Sequence, residues 1–189
     1  VLNVPELGDA GVLFAKPGFN VIGTANTRDK GVNEMSSALK RRFNFETVMP
    51  VRDVSLEKQI ILNEVEELAK ENQVDMAPDE DVAEILASTF HELREGVSSM
   101  GHRIDRPSAV MSTAEAVSVY YQTMLTAYYY GDMRMDMGCL VRNLVGAVQK
   151  ENREDLEKLR GYFQTVIRDK GGKEGGLWSS YYEAGKYLR

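Results

Sequence analysis

Apolar residues recur at intervals of three and four along most of the chain after residue 55, which is the spacing of one face of an α-helix. The first stripe starts behind Ser55, a predicted helix N-cap, and consists of Leu56, Ile60, Val65 and Leu68. A second stripe follows Asp79, and a third follows Ser112, where Glu115 completes the S-x-x-E pattern of a capping box. These signals predict three successive amphipathic helices.

The stripe behind Asp79 is the most regular of the three, and more helices are predicted after it. Its members are Val82, Ile85, Leu86, Phe90, Leu93 and Val97. Helices are also expected at 138–150, 153–169 and 177–188, with a glycine-rich break at K-G-G-K-E-G-G between the last two. From residue 53 onward the pattern therefore predicts a helical bundle.

The first 50 residues follow a different pattern, that of strands and loops. An opening hairpin around Gly8 is followed by the mostly apolar F-N-V-I-G-T-A-N, residues 19–26, which reads as a strand buried on both faces. A polar loop, a short helix at 34–42 and a second strand at 43–51 come next. This order predicts a piece of an α/β layer ahead of the bundle, in a chain that is mostly α.

Composition narrows the possible classes of protein. The chain has 189 residues, 43% of them hydrophobic, and a formal net charge of -6, which disfavours non-specific nucleic-acid binding. A helix-turn-helix DNA binder within the bundle is disfavoured for the same reason. A single cysteine excludes an internal disulfide, and no apolar run approaches the roughly 20 residues of a membrane span. We therefore expect a cytoplasmic protein.

No metal site is predicted from the residue types that usually bind metals. His91 and His102 have no cysteine or carboxylate partner at metal-ligand spacing, and Cys139 is expected to be a buried apolar residue. The tyrosines of V-Y-Y-Q-T-M-L-T-A-Y-Y-Y extend around their helix, so they either form a partner surface or pack against later helices. Both readings stay open at this point.

Asn26 and an arginine pair are the candidate chemical groups. Ligands of open α/β sheets bind at the carboxyl ends of strands, and Asn26 directly follows the predicted buried strand. An amide at that edge can hold a water molecule by donating and accepting at once. Arg41 and Arg42 end the short helix, and a guanidinium fork there suits the oxygens of a phosphate.

The stretch F-N-V-I-G-T-A-N-T-R-D-K-G-V-N-E-M-S-S-A-L-K-R-R-F-N-F-E resembles the sensor-1 to arginine-finger segment of AAA+ ATPases, in particular their MoxR-like and dynein-related branch. Asn26 matches the sensor-1 asparagine, Arg42 matches the finger, and Arg41 is the adjacent candidate. The match covers about residues 1–50. The helices after Ser55 resemble the family's helical lid in order and length.

The resemblance implies a domain organisation. Residues 1–52 would be the C-terminal part of the α/β P-loop core, residues 53–131 the helical lid, and residues 132–189 a helical extension without a recognised counterpart. No residue is assigned as sensor 2, because Glu115 occupies the position where a basic residue is expected.

The resemblance also implies a function that these residues cannot perform alone. The sequence has no G-x-x-x-x-G-K-[ST] phosphate loop and no apolar strand ending in Asp-Glu, so ATP and Mg²⁺ would be bound through a part of the protein upstream of Val1. The complete ATPase would work as a homo-oligomeric, often hexameric, ring that remodels or activates a client protein, as a chaperone does. The alternative is a nucleotide-free helical scaffold that keeps a decayed ATPase segment.

Overall fold

The computed structural model describes residues 2–3, 6, 8, 12–24, 35–108, 111–150 and 152–188. The chain divides into two compact units, Val1–Thr47 and Val48–Arg189. In the parts of both units that the structure describes, no helix combines the length and apolar character that a membrane crossing requires.

The first unit contains two very short strands and one turn of helix among its described residues. Strand β1 (Leu2–Asn3) pairs antiparallel with β2 (Val12–Leu13), in the register Leu2 to Leu13 and Asn3 to Val12. Helix α1 (Ser37–Lys40) begins behind Ser36, whose hydroxyl oxygen accepts a hydrogen bond from the Leu39 amide at 3.3 Å. The predicted hairpin and short helix are thus present in abbreviated form.

The predicted α/β layer is absent from the described residues, which corrects the sequence-based fold. Residues 19–24 and 43–51 form no strand. Their apolar side chains lie largely in solvent, with Ile22 91% and Val48 90% exposed. A strand buried on both faces needs neighbouring strands to accept its backbone hydrogen bonds and to cover its side chains, and these residues have no such neighbours here.

The second unit is built from seven α-helices among its described residues. They are α2 (Val54–Glu71), α3 (Glu80–Glu95), α4 (Thr113–Tyr130), α5 (Met137–Val148), α6 (Glu154–Tyr162), α7 (Arg168–Glu174) and α8 (Gly176–Ala184). A π-helical turn, Phe163–Ile167, joins α6 to α7, and a 3₁₀ turn, Gly185–Tyr187, follows α8. The prediction of a mostly helical chain is confirmed.

The starts of α2, α3 and α4 follow the capping signals, with one shift. Asp79 caps α3 through its carboxylate, and Ser112 with Glu115 forms the predicted capping box of α4. Helix α2 is capped by Asp53 rather than by Ser55, because the Asp53 carboxylate accepts from the Ser55 and Leu56 amides at 2.8 and 3.3 Å. The predicted cap is therefore a first-turn residue.

One continuous hydrophobic core runs through the second unit, from Ile61 to Leu188. The face of α3 is buried as predicted, apart from Val97, which lies beyond the helix and is 46% exposed. In α2 the predicted Val65 is buried, Ile60 and Leu68 are half-buried, and the most buried face differs from the predicted stripe at its other positions. Glu57, Ile61, Val65 and Ala69 point inward, and Leu56 is 49% exposed.

One helix extends beyond its predicted end, and one predicted domain boundary stays untested. The helix expected to stop at 169 continues to Glu174, and the turn comes at Gly175 and Gly176, both with positive φ. Gly171 lies inside this helix, and a Cβ atom there would be 3.2 Å from the Ser179 backbone. Helices α7 and α8 therefore pack closely at this glycine. The predicted division at residue 131 stays a prediction, and α4 and α5 on its two sides pack against each other.

Candidate functional site

The two arginines of the predicted finger lie at the C-terminal end of α1. Arg41 is the helix C-cap, and the Arg42 amide donates to the Leu39 carbonyl at 2.9 Å. Both side chains are exposed, and neither forms an ion pair with a carboxylate that the structure describes. Asn26, the predicted sensor-1 residue, lies outside the described residues. The structure therefore shows two accessible guanidinium groups but leaves their relation to Asn26 a prediction.

A buried ion pair joins the start of α2 to the end of α3. The Glu57 side chain is fully buried, and its two carboxylate oxygens accept from Arg94 Nη1 at 3.1 Å and from Nη2 at 2.7 Å. Thr113, the first residue of α4, donates to the same carboxylate at 2.9 Å. Arg94 also donates to the carbonyl oxygens of Val51 at 2.9 Å and Met111 at 2.7 Å. We call these five residues the Glu57–Arg94 cluster.

A second buried ion pair connects α3 with α7. The Lys170 ammonium lies 3.0 Å from Glu92, and the exposed fractions of the two side chains are 5% and 3%. The Tyr162 hydroxyl donates to Glu92 at 2.7 Å, and the Ser99 amide donates to Glu92 at 2.8 Å. We call Glu92, Ser99, Tyr162 and Lys170 the Glu92–Lys170 cluster. The Lys170 ammonium also lies 4.4 Å from the centre of the Trp178 ring.

Hydrogen bonds decide the charge state of the Glu92–Lys170 cluster. Burial alone would raise the pKa of Glu92, but the Ser99 amide, the Tyr162 hydroxyl and Lys170 together hold it below the ordinary carboxyl value. Burial, with the nearby negative charge of Glu92, raises the pKa of Tyr162 well above its ordinary value. The carboxylate is therefore ionised and the phenol neutral near pH 7.

A third buried carboxylate, Asp155, anchors the loop before α4 to the first turn of α6. Its oxygens accept from the Ser108 amide at 2.9 Å, from the Ser108 hydroxyl and from Lys158 at 2.9 Å. Burial would raise the pKa of Asp155, but the bonds from Lys158 and Ser108 outweigh it, so the pKa is lowered. Each of these buried carboxylates already has several donors, so they join elements rather than transfer protons.

Sequence reasoning missed both buried ion pairs. Glu57 is in the i, i+4 row of Ile61, Val65 and Ala69, which is a signal that it faces inward. Lys170 is the third residue after the buried Ile167, but its partner lies 78 residues earlier in the chain. Such partners at long sequence separation leave no local pattern.

The residue types that bind metal ions are not gathered at one place in the described part of the chain. Within it, no three His, Cys, Asp or Glu side chains converge as a metal site would require. Cys139 is buried, as its sequence context indicated. Of the tyrosines, Tyr120 is fully buried, whereas Tyr129 is 61% and Tyr130 89% exposed. Tyr120 therefore packs in the core, and a partner surface at Tyr129 and Tyr130 stays a prediction.

Two different families match the chain, one in each of its two units. A family described as "YehL-like AAA+ ATPase C-terminal domain" matches residues 55–189, and an "AAA domain (dynein-related subfamily)" matches residues 4–43. The chain is similar to "Uncharacterized protein YehL" of Escherichia coli (strain K12), with 40% identity over 188 residues. This alignment covers 97% of the chain but 50% of that protein, so the chain spans about half the length of the curated relative it matches. No solved structure matches the chain significantly.

Proposed function

Because this chain belongs to the family of YehL-like AAA+ ATPase C-terminal domains, we propose that it is the C-terminal half of a MoxR-type ATPase. The complete protein hydrolyses ATP in a homo-oligomeric ring, which we take to be a hexamer. Hydrolysis drives the remodelling or activation of a client protein, which is a chaperone-like activity. The proposal draws on the dynein-related AAA match and on the length of the relative, of which this chain spans half.

The exposed arginines at the end of α1 are the observation that carries this proposal. Arg41 and Arg42 fall inside the AAA match, and both guanidinium groups face solvent. A finger that serves a neighbouring subunit must be accessible, because it reaches a phosphate that its own subunit does not bind. Five N–H donors in a planar fork suit the equatorial oxygens of a transferred phosphoryl group. Arg42 is the proposed finger and Arg41 the alternative.

The remaining parts of the catalytic machinery are assigned by role. Asn26 acts as sensor 1, where its amide orients the attacking water beside the γ-phosphate of its own subunit. ATP and Mg²⁺ are bound by the part of the protein that supplies a phosphate loop, because the sequence here has no G-x-x-x-x-G-K-[ST] motif. These residues alone therefore have no ATPase activity.

The proposal is tested by changing Arg42→Ala in the full-length protein. A trans arginine is worth about 10³–10⁵ in rate, or roughly 4–7 kcal/mol of transition-state stabilisation. We expect kcat to fall by about that factor while binding of a fluorescent ATP analogue stays close to wild type. Arg153→Ala is the matched control, because Arg153 is also exposed but lies outside the AAA match.

Mixed rings show whether the finger acts on a neighbour. Arg42→Ala subunits are combined with subunits that cannot hydrolyse ATP for another reason, and a trans finger predicts that some activity returns. If Arg42→Ala keeps wild-type turnover, the role passes to Arg41, which is tested in the same way. Wild-type turnover in both variants refutes the finger.

A nucleotide-free scaffold is the second candidate function, and the exposed end of α4 favours it. Tyr129 and Tyr130 there are 61% and 89% exposed, and Met133 nearby is 47% exposed, as at a surface that binds another protein. The two candidates differ in nucleotide binding. A full-length protein that binds no ATP in the presence of Mg²⁺ is a scaffold, and one that binds and hydrolyses ATP is not.

A further inference from the structure

Residues 43–53, which we call the connector, lead from the first unit to helix α2 and are mostly exposed. The chain passes from the first unit to the second at Thr47–Val48, and residues 43–53 form no helix or strand. Val48 and Met49 are 90% and 58% exposed, whereas Val51 is half-buried. The helical unit therefore covers the connector at Val51.

The Arg94 guanidinium binds the connector at Val51. Its Nη2 atom donates to the Val51 carbonyl at 2.9 Å, and its Nη1 atom donates to the Met111 carbonyl at 2.7 Å. Both Nη atoms also donate to Glu57. Each Nη carries two hydrogens, so these four bonds use all of them, and the buried Nε–H has no acceptor among the described residues. One side chain thus ties the connector, the start of α2 and the loop before α4 to the end of α3.

Packing of α2 against α3 does not by itself require this arrangement. Ile61, Val65, Leu86 and Phe90 are fully buried between the two helices and their neighbours and supply the apolar contact. Lys58 also bridges α2 and α3, through Glu84 at 3.2 Å and Glu80 at 3.6 Å, without touching the connector. What distinguishes Arg94 is that two of its bonds go to backbone carbonyls outside any helix.

We propose that Arg94 fastens the connector to the helical unit, so that residues 51–53 move with the helices. In the ATPase proposed above, on which this second step rests, Arg94 is a positioning residue. Because the connector is held at Val51, a movement of the helical unit displaces the connector as well. Without this contact, a loose segment would change its conformation instead. Lysine cannot replace it, because an ammonium donates from a single point and cannot reach two carbonyls and a carboxylate in this geometry.

The test measures hydrogen exchange at the start of α2. The Ser55 and Leu56 amides donate to the Asp53 side chain, two residues after the fastened carbonyl. Releasing Val51 is expected to let this cap open, so exchange of the peptide that contains residues 52–57 should speed up at least about tenfold, as expected when a weakly held helix end opens locally. The full-length protein is used throughout.

Two variants and one control make the experiment decisive. Arg94→Lys keeps the charge opposite Glu57 but loses the fork. The double variant Glu57→Leu/Arg94→Met replaces the buried pair by apolar residues, a change that buried pairs often tolerate without loss of stability, so it keeps the helices folded while releasing Val51. Lys58→Met removes an ion pair between the same two helices and should leave exchange at 52–57 close to wild type.

Turnover is the second readout. We expect kcat to fall roughly 10- to 100-fold in Arg94→Lys and in the double variant, the range in which misplacement by about 1 Å affects rate, with ATP affinity retained. Unchanged exchange at 52–57 in the double variant overturns the fastening. Faster exchange with unchanged kcat overturns the positioning role, and equal loss of kcat in Lys58→Met reduces Arg94 to a packing residue. If the wild-type protein has no ATPase activity, the proposed function fails, and the exchange result alone decides the fastening.

Discussion

Removing either partner of the Glu92–Lys170 pair should destabilise the helical unit by amounts that the surrounding donors determine. At 3.0 Å and an effective dielectric constant of about 20, the attraction between the two charges is roughly 5 kcal/mol before the cost of removing both from water. In Glu92→Gln the Lys170 ammonium loses its counter-charge while its side chain is only 5% exposed. We expect a loss of about 3–5 kcal/mol in the free energy of unfolding.

The reverse substitution, Lys170→Met, should cost less. Glu92 then keeps two donors, the Ser99 amide and the Tyr162 hydroxyl, so its carboxylate is not left without partners. The loss is expected to be about 1.5–3 kcal/mol, which is the range for a hydrogen bond to a charged group. The double variant Glu92→Gln/Lys170→Met leaves no buried charge at either position. Its loss should be smaller than the sum of the single losses by roughly 1–3 kcal/mol.

Urea unfolding of the chain measures these differences. Trp178 is the only tryptophan, and its ring lies 4.4 Å from the Lys170 ammonium, so its fluorescence reports on this region directly. Because Lys170→Met changes the fluorescence itself, far-UV circular dichroism follows the same transitions. Glu66→Gln is the control. It breaks a 2.8 Å pair with Lys70 whose side chains are 54% and 69% exposed, and it should cost no more than about 0.5 kcal/mol.

Additive losses would refute the reasoning. If the double variant loses the sum of the single losses to within about 0.5 kcal/mol, Glu92 and Lys170 do not interact across the core. A Glu92→Gln loss no larger than that of Glu66→Gln would likewise show that burial does not strengthen this pair.

Two further predictions concern backbone conformation and acid stability. Gly96→Ala should lower the free energy of unfolding in urea by at least about 1 kcal/mol, since φ is +74° there and a methyl group would lie 2.5 Å from Arg106 Nε. Gly146→Ala, at an exposed helical position with open space, should raise it by about 0.5–1 kcal/mol. Equal effects of the two changes would contradict this. The stability that three buried or half-buried carboxyl groups contribute should be fully present above about pH 5 and be lost as the pH drops below about 4.5, because carboxyl groups with a lowered folded pKa stabilise the fold only while ionised. The groups concerned are Glu92, Glu115 and Asp155. A urea midpoint that is unchanged at pH 3 would refute this assignment.

Local signals predicted the helices well where neighbours in sequence decide the outcome. The apolar row of α3 is buried at Val82, Ile85, Leu86, Phe90 and Leu93, as its spacing indicated. The Asp79 cap and the Ser112 capping box also have the predicted bonds. A cap or a helical stripe involves residues at most four positions apart, so the sequence contains the whole interaction.

The predictions that failed depend on partners far along the chain. Helix α2 buries Glu57 instead of Leu56 because Arg94, 37 residues later, neutralises it. The helix through Lys170 continues into the expected glycine-rich break and ends at Glu174, and Glu92 binds that lysine from 78 residues away. Residues 19–24 and 43–51 have the composition of strands but form none, because a strand requires neighbours to pair with.

The candidate site shows the same difference between local and long-range interactions. The resemblance of residues 19–46 to a known family was enough to indicate an AAA+ segment that includes Arg41 and Arg42, and the dynein-related AAA match over residues 4–43 agrees with an AAA+ segment. The Glu57–Arg94 and Glu92–Lys170 clusters could be found only in three dimensions. The sequence by itself determined which segments become helices and, for α3 and α4, which residues cap them, because capping and amphipathic spacing act within a few residues. Only the tertiary structure decided which charged side chains are buried, because an ion is stable away from water only where folding brings a counter-charge and enough hydrogen-bond partners to it.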